Sequence, residues 1–501
     1  MTGILKRLTF IAGVLPRDSI ALSSGQYQLS YAGMLDAVRQ RVTGLSEMKS
    51  KRVALQSSNS IEWVLLDLAC QQLDIVFIPI PTFFTVDQVK HCLNQASIDT
   101  LLTDQARLPA YAESQFTAVA VSKEVVWISP IYAWTGFLEA QSPLPLGTQK
   151  ITFTSGTTGN PKGVCLGIEH QWLVAQSLAD SIGIRCPRHL CLLPLSTLLE
   201  NIAGVYTPLL CGGTVVIPPD SARGMSGSSG INSKALLSCI SDVNPHSMIL
   251  VPQLLTLLVR ACLDGWKAPE SLAFIAVGGG KVAPQLIEQA RDLGLPVYQG
   301  YGLSECGSVV ALNTPTNDWV ESVGQVLPHC EVSIDQDEIV VSGSTHLGYL
   351  GEPSTWHSEL VYTGDVGKLC NGHLFVEGRK KNTLITSFGR NVCPEWVESI
   401  LMSKPLLRHS IVLGDAKPYL VAVLCAPETV DDVVIQRWIT ACNHTLPDYA
   451  RIGNWLRVTE KVLQPFITAN GRPRRENIKD FFVESLDRLY LNGNGPLIQL
   501  A

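Results

Sequence analysis

Apolar residues in the first three-quarters of the chain alternate between two textures. Short continuous apolar runs, at 52–58, 75–80, 214–219, 247–252 and 274–280, end in Gly, Ser or Pro. Longer stretches between them, such as 61–73, repeat apolar positions at helical spacing. This alternation predicts β–α units with buried parallel strands. The first 18 residues place Lys6 and Arg7 ahead of the apolar run LTFIAGVL. That run is at the short limit for a signal peptide, and no small-x-small cleavage site follows it. It reads as the packed start of the first domain. The Gly/Ser-rich segment 221–230 reads as a flexible loop inside a domain.

The texture changes after residue 360. Tyr362-Thr363-Gly364-Asp365 and Asn371-Gly372 are turn signals between short strands, and Asn-Gly is a strong hairpin signal. Residues 383–501 carry 13 basic and 12 acidic side chains, against 25 and 32 in the first 382. The reading is an α/β chain of two domains. The large N-terminal domain, 1–381, has mostly parallel sheets and helices. The small C-terminal α+β lid is 382–501, with the hinge near 378–382.

Composition narrows the function. The 501 residues have a net charge of −6, and 46% are hydrophobic against 16% charged. A dedicated nucleic-acid binder would carry a basic surplus, and a disordered chain would be less apolar and more charged. No uninterrupted apolar run reaches the ~20 residues of a spanning helix. The mean hydropathy of +0.19 therefore points to a large core. Fourteen scattered cysteines suit small core hydrophobes in a reducing cytoplasm. The Cys186–Cys191 stretch, with His189, has no second ligand pair and reads as a loop entering a strand.

The sharpest motif is Thr154-Ser155-Gly156-Thr157-Thr158-Gly159-Asn160-Pro161-Lys162-Gly163, after a predicted strand at 150–153. Its glycines allow close backbone approach, its hydroxyls and N–H groups can donate to phosphate oxygens, and Lys162 adds a point charge. The Gly-Lys-Ser/Thr ending of a Walker A loop is absent.

This loop resembles the phosphate loop of the adenylate-forming (AMP-binding) superfamily. Four further stretches agree with that family in order: Tyr301-Gly302-Leu303-Ser304-Glu305, Tyr362–Asp365, Gly378-Arg379-Lys380-Lys381-Asn382, and Thr468–Arg475. The resemblance implies ATP-dependent activation of a carboxylic acid to an acyl-adenylate, then transfer to a thiol, usually coenzyme A. It implies ATP, Mg²⁺ and coenzyme A as cofactors. Thr157 and Lys162 would hold the β- and γ-phosphates within the loop from Thr154 to Lys162. Thr157 and Glu305 would bind Mg²⁺. Tyr301 would lie against adenine, with Gly302 and Ser304 in the same motif and Gly279 and Gly280 giving close backbone approach. Asp365 and Arg379 would take the ribose. Lys381 falls in the hinge motif, and Gly389 in the loop that resembles the thiol-access loop. Lys162, Glu305 and Arg472 are the catalytic set.

Two departures stand out. The family's terminal motif carries a lysine where this chain has Arg472, a planar fork in place of a compact ammonium. Adenylation would persist with altered geometry, the role would pass to Arg474 or Lys479, or the protein would be a catalytically weakened nucleotide-binding homologue. The hinge acid is replaced by Asn382. The resemblance places the acid tunnel at 192–201, where Leu195, Ser196, Thr197 and Leu198 would form a flexible apolar wall. Ile249 and Leu250 are apolar where amino-acid-activating relatives place an Asp. The loop at 385–398 resembles that of long-chain fatty-acid–CoA ligases, so the expected substrate is a medium- or long-chain fatty acid. An acyl carrier protein as acceptor remains an alternative. No nucleic-acid partner is expected. The expected location is the cytoplasm, with peripheral membrane contact left open.

Overall fold

In a computed structural model the described residues are 3–107, 116–119, 128–136, 142–154, 161–226, 230–387, 390–468, 471–491 and 499–500. The apolar runs become strands Arg52–Gln56, Val76–Pro79, Thr214–Val216, Ser247–Leu250 and Phe274–Val277. The stretch after the first of these is the helix Ile61–Gln72, capped by the Ser60 hydroxyl. The N-terminal helix Gly3–Val14 buries Leu5, Leu8 and Ile11 against the body, as its i, i+3, i+6 spacing requires.

The strands form two large sheets of thirteen and eight. In the first, Ser247–Leu250 pairs in parallel with Phe274–Val277, and that strand with Val297–Leu303. In the second, Arg52–Gln56 pairs in parallel with Val76–Pro79 and Thr100–Thr103. Parallel pairing in the large sheets forms one block in each, from Val297–Leu303 to Ile20–Ser24 in the first and from Lys150–Thr154 to Thr100–Thr103 in the second. The strands that flank these blocks pair antiparallel. In the thirteen-stranded sheet, the strands after residue 303 are joined without crossover helices and pair antiparallel. Strands Leu360–Cys370 and His373–Arg379 form the Asn-Gly hairpin, with Asn371 at φ 50° and Gly372 at φ 76°. The Gly/Ser segment differs from a plain loop: Met225–Ser226 pairs with Gly230–Ile231.

After residue 382 the chain builds a small sheet from His409–Leu413, Leu420–Cys425, Ile452–Val458 and Gln499–Leu500. Helices Pro394–Leu401, Asp432–Thr445 and Arg475–Phe481 cover it with two apolar clusters. All 14 cysteines are free, and only Cys186 and Cys370 are exposed.

A buried polar network ties the two large sheets together. Lys150, 1% exposed, lies 3.1 Å from Asp67 and donates to Asn201 and to the Tyr206 hydroxyl at 2.8 Å. Burial lowers the Lys150 pKa, and Asp67 opposes that shift. Asn201 and Tyr206 come from a π-helix, Leu199–Tyr206, which the sequence reading did not anticipate. Such bulges often occur at functional sites.

Candidate active site

The ends of the parallel strands open on one cleft between the large sheets and the small domain. Its volume is about 3140 Å³. Ligands in open α/β sheets bind beyond the carboxyl ends of strands, and this cleft has that position. Thr154, Lys162, Gly279, Gly280, Tyr301, Gly302, Ser304, Glu305, Asp365, Arg379, Lys381 and Arg472 all line it. Ser155, Gly156, Thr157, Thr158, Gly159 and Gly389 lie outside the described residues.

One side of the cleft suits a nucleoside. Tyr301 ends the strand Val297–Leu303 and donates its hydroxyl to Asp365 at 2.6 Å. Arg379 sits directly across the hairpin from Asp365, with Nε 2.9 Å from its carboxylate. Its Nη1 donates to the Thr363 carbonyl at 2.7 Å. Gly364, at φ 70°, turns the chain that presents Asp365. Burial raises the Asp365 pKa, opposed by Arg379 and by the Tyr301 hydrogen bond. Gly302 is fixed by its neighbour: a Cβ there would lie 1.7 Å from the Ser308 carbonyl oxygen. The register shifts beside it, between Tyr301 and Gly302. That bulge rotates the following residues toward the cleft. Lys281, at the end of the glycine run, donates to the carbonyls of Val376 and Glu377 and ties the run to the hairpin.

The other side suits phosphates. Thr154 and Lys162 are cross-strand partners at the two ends of the sharp motif. Lys162 is exposed and pairs with Glu352 at 3.1 Å. Glu305 lies in the single turn Ser304–Cys306, where Oε1 accepts from the Tyr349 hydroxyl at 2.9 Å. A carboxylate with oxygen left for a ligand is a hard donor of the kind Mg²⁺ takes.

Arg472 enters from the small domain. Its Nε and Nη2 both donate to the Gly279 carbonyl at 3.2 Å. The cleft walls and Arg379 lower its pKa, yet the side chain keeps open water contact and stays a cation. Burial, Arg379 and Arg472 also lower the Lys381 pKa. Arg474 and Lys479 are exposed, and Lys479 lies 3.9 Å from Glu476. Asn382 donates to Glu395, and the Cys393 thiol donates to the Glu377 carbonyl at 2.8 Å. Burial and Glu395 push that thiol up to about 12, so it remains a donor.

Ser196, Thr197, Leu198, Leu199, Ala203 and Ile249 line another part of the cleft, where the resemblance would put the acid. Leu195 is fully buried in the main core, so it does not line the cleft as expected. Ser308 lines the cleft at φ 120°, 7% exposed, with no partner for its hydroxyl. No motif in the sequence flagged it, because its conformation is set by the bulge. His189, Cys191 and Glu200 converge within 4.8 Å. The cluster is satisfied internally: His189 contacts Ser247 at 3.0 Å and Glu200 at 3.3 Å, and Glu200 accepts from Leu193 N–H.

Family comparison agrees with this cleft. The chain belongs to the AMP-binding enzymes: that family matches residues 12–350, and its C-terminal domain matches 381–494. The 2-succinylbenzoate–CoA ligase of Bacillus subtilis is 27% identical over 422 residues, 80% of this chain and 83% of that one. The fold resembles anthranilate CoA ligase AuaEII in complex with anthranoyl-AMP, with TM-score 0.79, 18% identity and coverage of 96% and 97%. It also resembles O-succinylbenzoate coenzyme A synthetase from Bacillus subtilis in complex with AMP, with TM-score 0.76, 24% identity and coverage of 95% and 98%. Among the described residues no helix is long and apolar enough to cross a membrane.

Proposed function

We propose that this protein is an AMP-forming acid–CoA ligase whose substrate is an aromatic acid carrying a second polar group, of the 2-succinylbenzoate kind. The observation that carries the ligase reading is Arg472, held by the small domain on the Gly279 carbonyl beside Asp365 and Tyr301. A cation held there supports a role for Arg472 at the α-phosphate. The substrate reading rests on the unpaired, buried Ser308 hydroxyl, which a plain alkyl chain would leave unsatisfied. The curated relative named above supports it. This reading replaces the fatty acid expected from the sequence.

In the first step a carboxylate oxygen attacks the α-phosphorus of ATP, and pyrophosphate leaves. Tyr301 and Asp365 would hold adenine and ribose, with Arg379 orienting Asp365. Lys162 would neutralise the departing phosphates, and Arg472 the charge growing at the α-phosphate. Glu305, with Thr157, would hold Mg²⁺, which would supply further charge neutralisation at the phosphates. In the second step the thiol sulfur attacks the acyl carbon, and AMP leaves. We place the division between domains at 381/382, with Asn382 as the pivot of the lid.

The test is acid-dependent exchange of pyrophosphate into ATP over aromatic and fatty acids, followed by coenzyme A consumption. Exchange with an aromatic dicarboxylic acid is expected. Exchange with fatty acids alone would overturn the substrate reading, and exchange with no acid would overturn the ligase reading. Transfer to a carrier protein in place of coenzyme A would overturn the acceptor.

A further inference from the structure

The segment that runs from Ser344 to Glu352 touches both sides of the phosphate subsite. Its short strand Gly348–Tyr349 pairs antiparallel with Lys162–Leu166, so Tyr349 lies opposite Val164 in the eight-stranded sheet. From there the Tyr349 hydroxyl donates 2.9 Å to Glu305, which follows a strand of the thirteen-stranded sheet. The Lys162 ammonium lies 5.0 Å over the Tyr349 ring, within cation–π range. The His346 ring packs 5.0 Å from the Tyr349 ring, and the His346 N–H donates to the Glu305 carbonyl at 2.6 Å. One tyrosine therefore contacts the carboxylate assigned to the cation and the lysine assigned to the phosphates.

We infer that Tyr349 is a positioning residue that aims the free oxygen of Glu305 at the magnesium–triphosphate complex and holds Lys162 beside it. This inference rests on the ligase reading above. The physical case is geometric. Glu305 sits on one turn of 3₁₀ helix after the strand, too short to fix its side chain. An acceptor held by one neutral hydroxyl keeps its full charge while losing its freedom to rotate. Glu352, on the same segment, holds the Lys162 ammonium at 3.1 Å with both side chains near half exposed. An arriving triphosphate can take the lysine from that partner at little cost.

The experiment compares wild type with Tyr349→Phe, which removes only the hydroxyl. Two quantities are read: the Mg²⁺ concentration giving half-maximal pyrophosphate exchange, and calorimetric binding of Mg·ATP. The expected result is a roughly 5- to 10-fold rise in half-saturating Mg²⁺ with weaker Mg·ATP binding. Exchange at saturating Mg²⁺ should stay within about threefold, and the melting temperature should be unchanged. Adding Tyr349→Phe to Glu305→Gln should give no shift in Mg²⁺ response beyond that of Glu305→Gln alone. If Tyr349→Phe does not fold, Tyr349→His keeps a ring and a donor and should give a smaller shift in the same direction. An unchanged Mg²⁺ response with unchanged Mg·ATP binding, in whichever variant folds, overturns the inference. Wild type that shows no exchange with any acid would instead sink the ligase reading, and the two failures are distinct.

Discussion

Arg472 makes two parallel hydrogen bonds to one carbonyl, an arrangement a lysine ammonium cannot reproduce. Arg472→Ala should lower pyrophosphate exchange about 100-fold while leaving thioester formation from preformed acyl-adenylate largely intact. Arg472→Lys should keep exchange within about tenfold. Equal loss of both half-reactions in either variant would remove Arg472 from the adenylation step. Asp365 gives a pH prediction. Its pKa is raised, so it takes up a proton at higher pH than a free aspartate. The protonated form accepts fewer hydrogen bonds, so affinity for AMP should fall as pH drops, beginning above the usual aspartate range. Titration of AMP binding from neutral to acidic pH checks the direction. Gly302→Ala would press a methyl onto the Ser308 carbonyl oxygen. It should cost at least ~1–3 kcal/mol in denaturant unfolding and abolish exchange.

At the scale of elements, legibility followed local rules. The strands at 247–250 and 274–277 were readable because buried parallel strands are continuous apolar runs. The 371–372 turn was readable because Asn-Gly suits two positive φ values. Tyr301, Glu305, Asp365 and Arg379 were readable because each lies in a contiguous motif. Tyr349, Lys281 and Ser308 were not, because their contacts cross about 45 to 95 positions or depend on a bulge. The π-helix Leu199–Tyr206 was also hidden, since its partners Asp67 and Lys150 are far away in sequence. That network yields a prediction. Lys150→Met alone should destabilise the protein by about 3–5 kcal/mol, because Asp67 is left buried and unpaired. Lys150→Met with Asp67→Leu should recover part of that loss in the same unfolding experiment.

For the whole molecule, the small domain rests on the large one through few polar contacts. Arg472 reaches Gly279, Gln253 donates to the Gly471 carbonyl, and Cys393 donates to the Glu377 carbonyl. Contacts this few among the described residues can be exchanged for others, which would suit the proposed lid. Asn382→Pro would fix φ at the proposed pivot. It should slow thioester formation about tenfold or more while preserving exchange; a reverse pattern would move the pivot elsewhere.

The distribution of thiols would make the proposed motion observable. Cys186 and Cys370, the two exposed cysteines, both precede residue 382, and the small domain's Cys393, Cys425 and Cys442 are wholly or partly buried. A maleimide dye applied to the native protein should therefore mark the stationary body alone. With Cys186 or Cys370 replaced by serine, one surface cysteine engineered into the small domain completes a donor–acceptor pair, and fluorescence energy transfer can time the proposed lid rotation without removing any buried thiol.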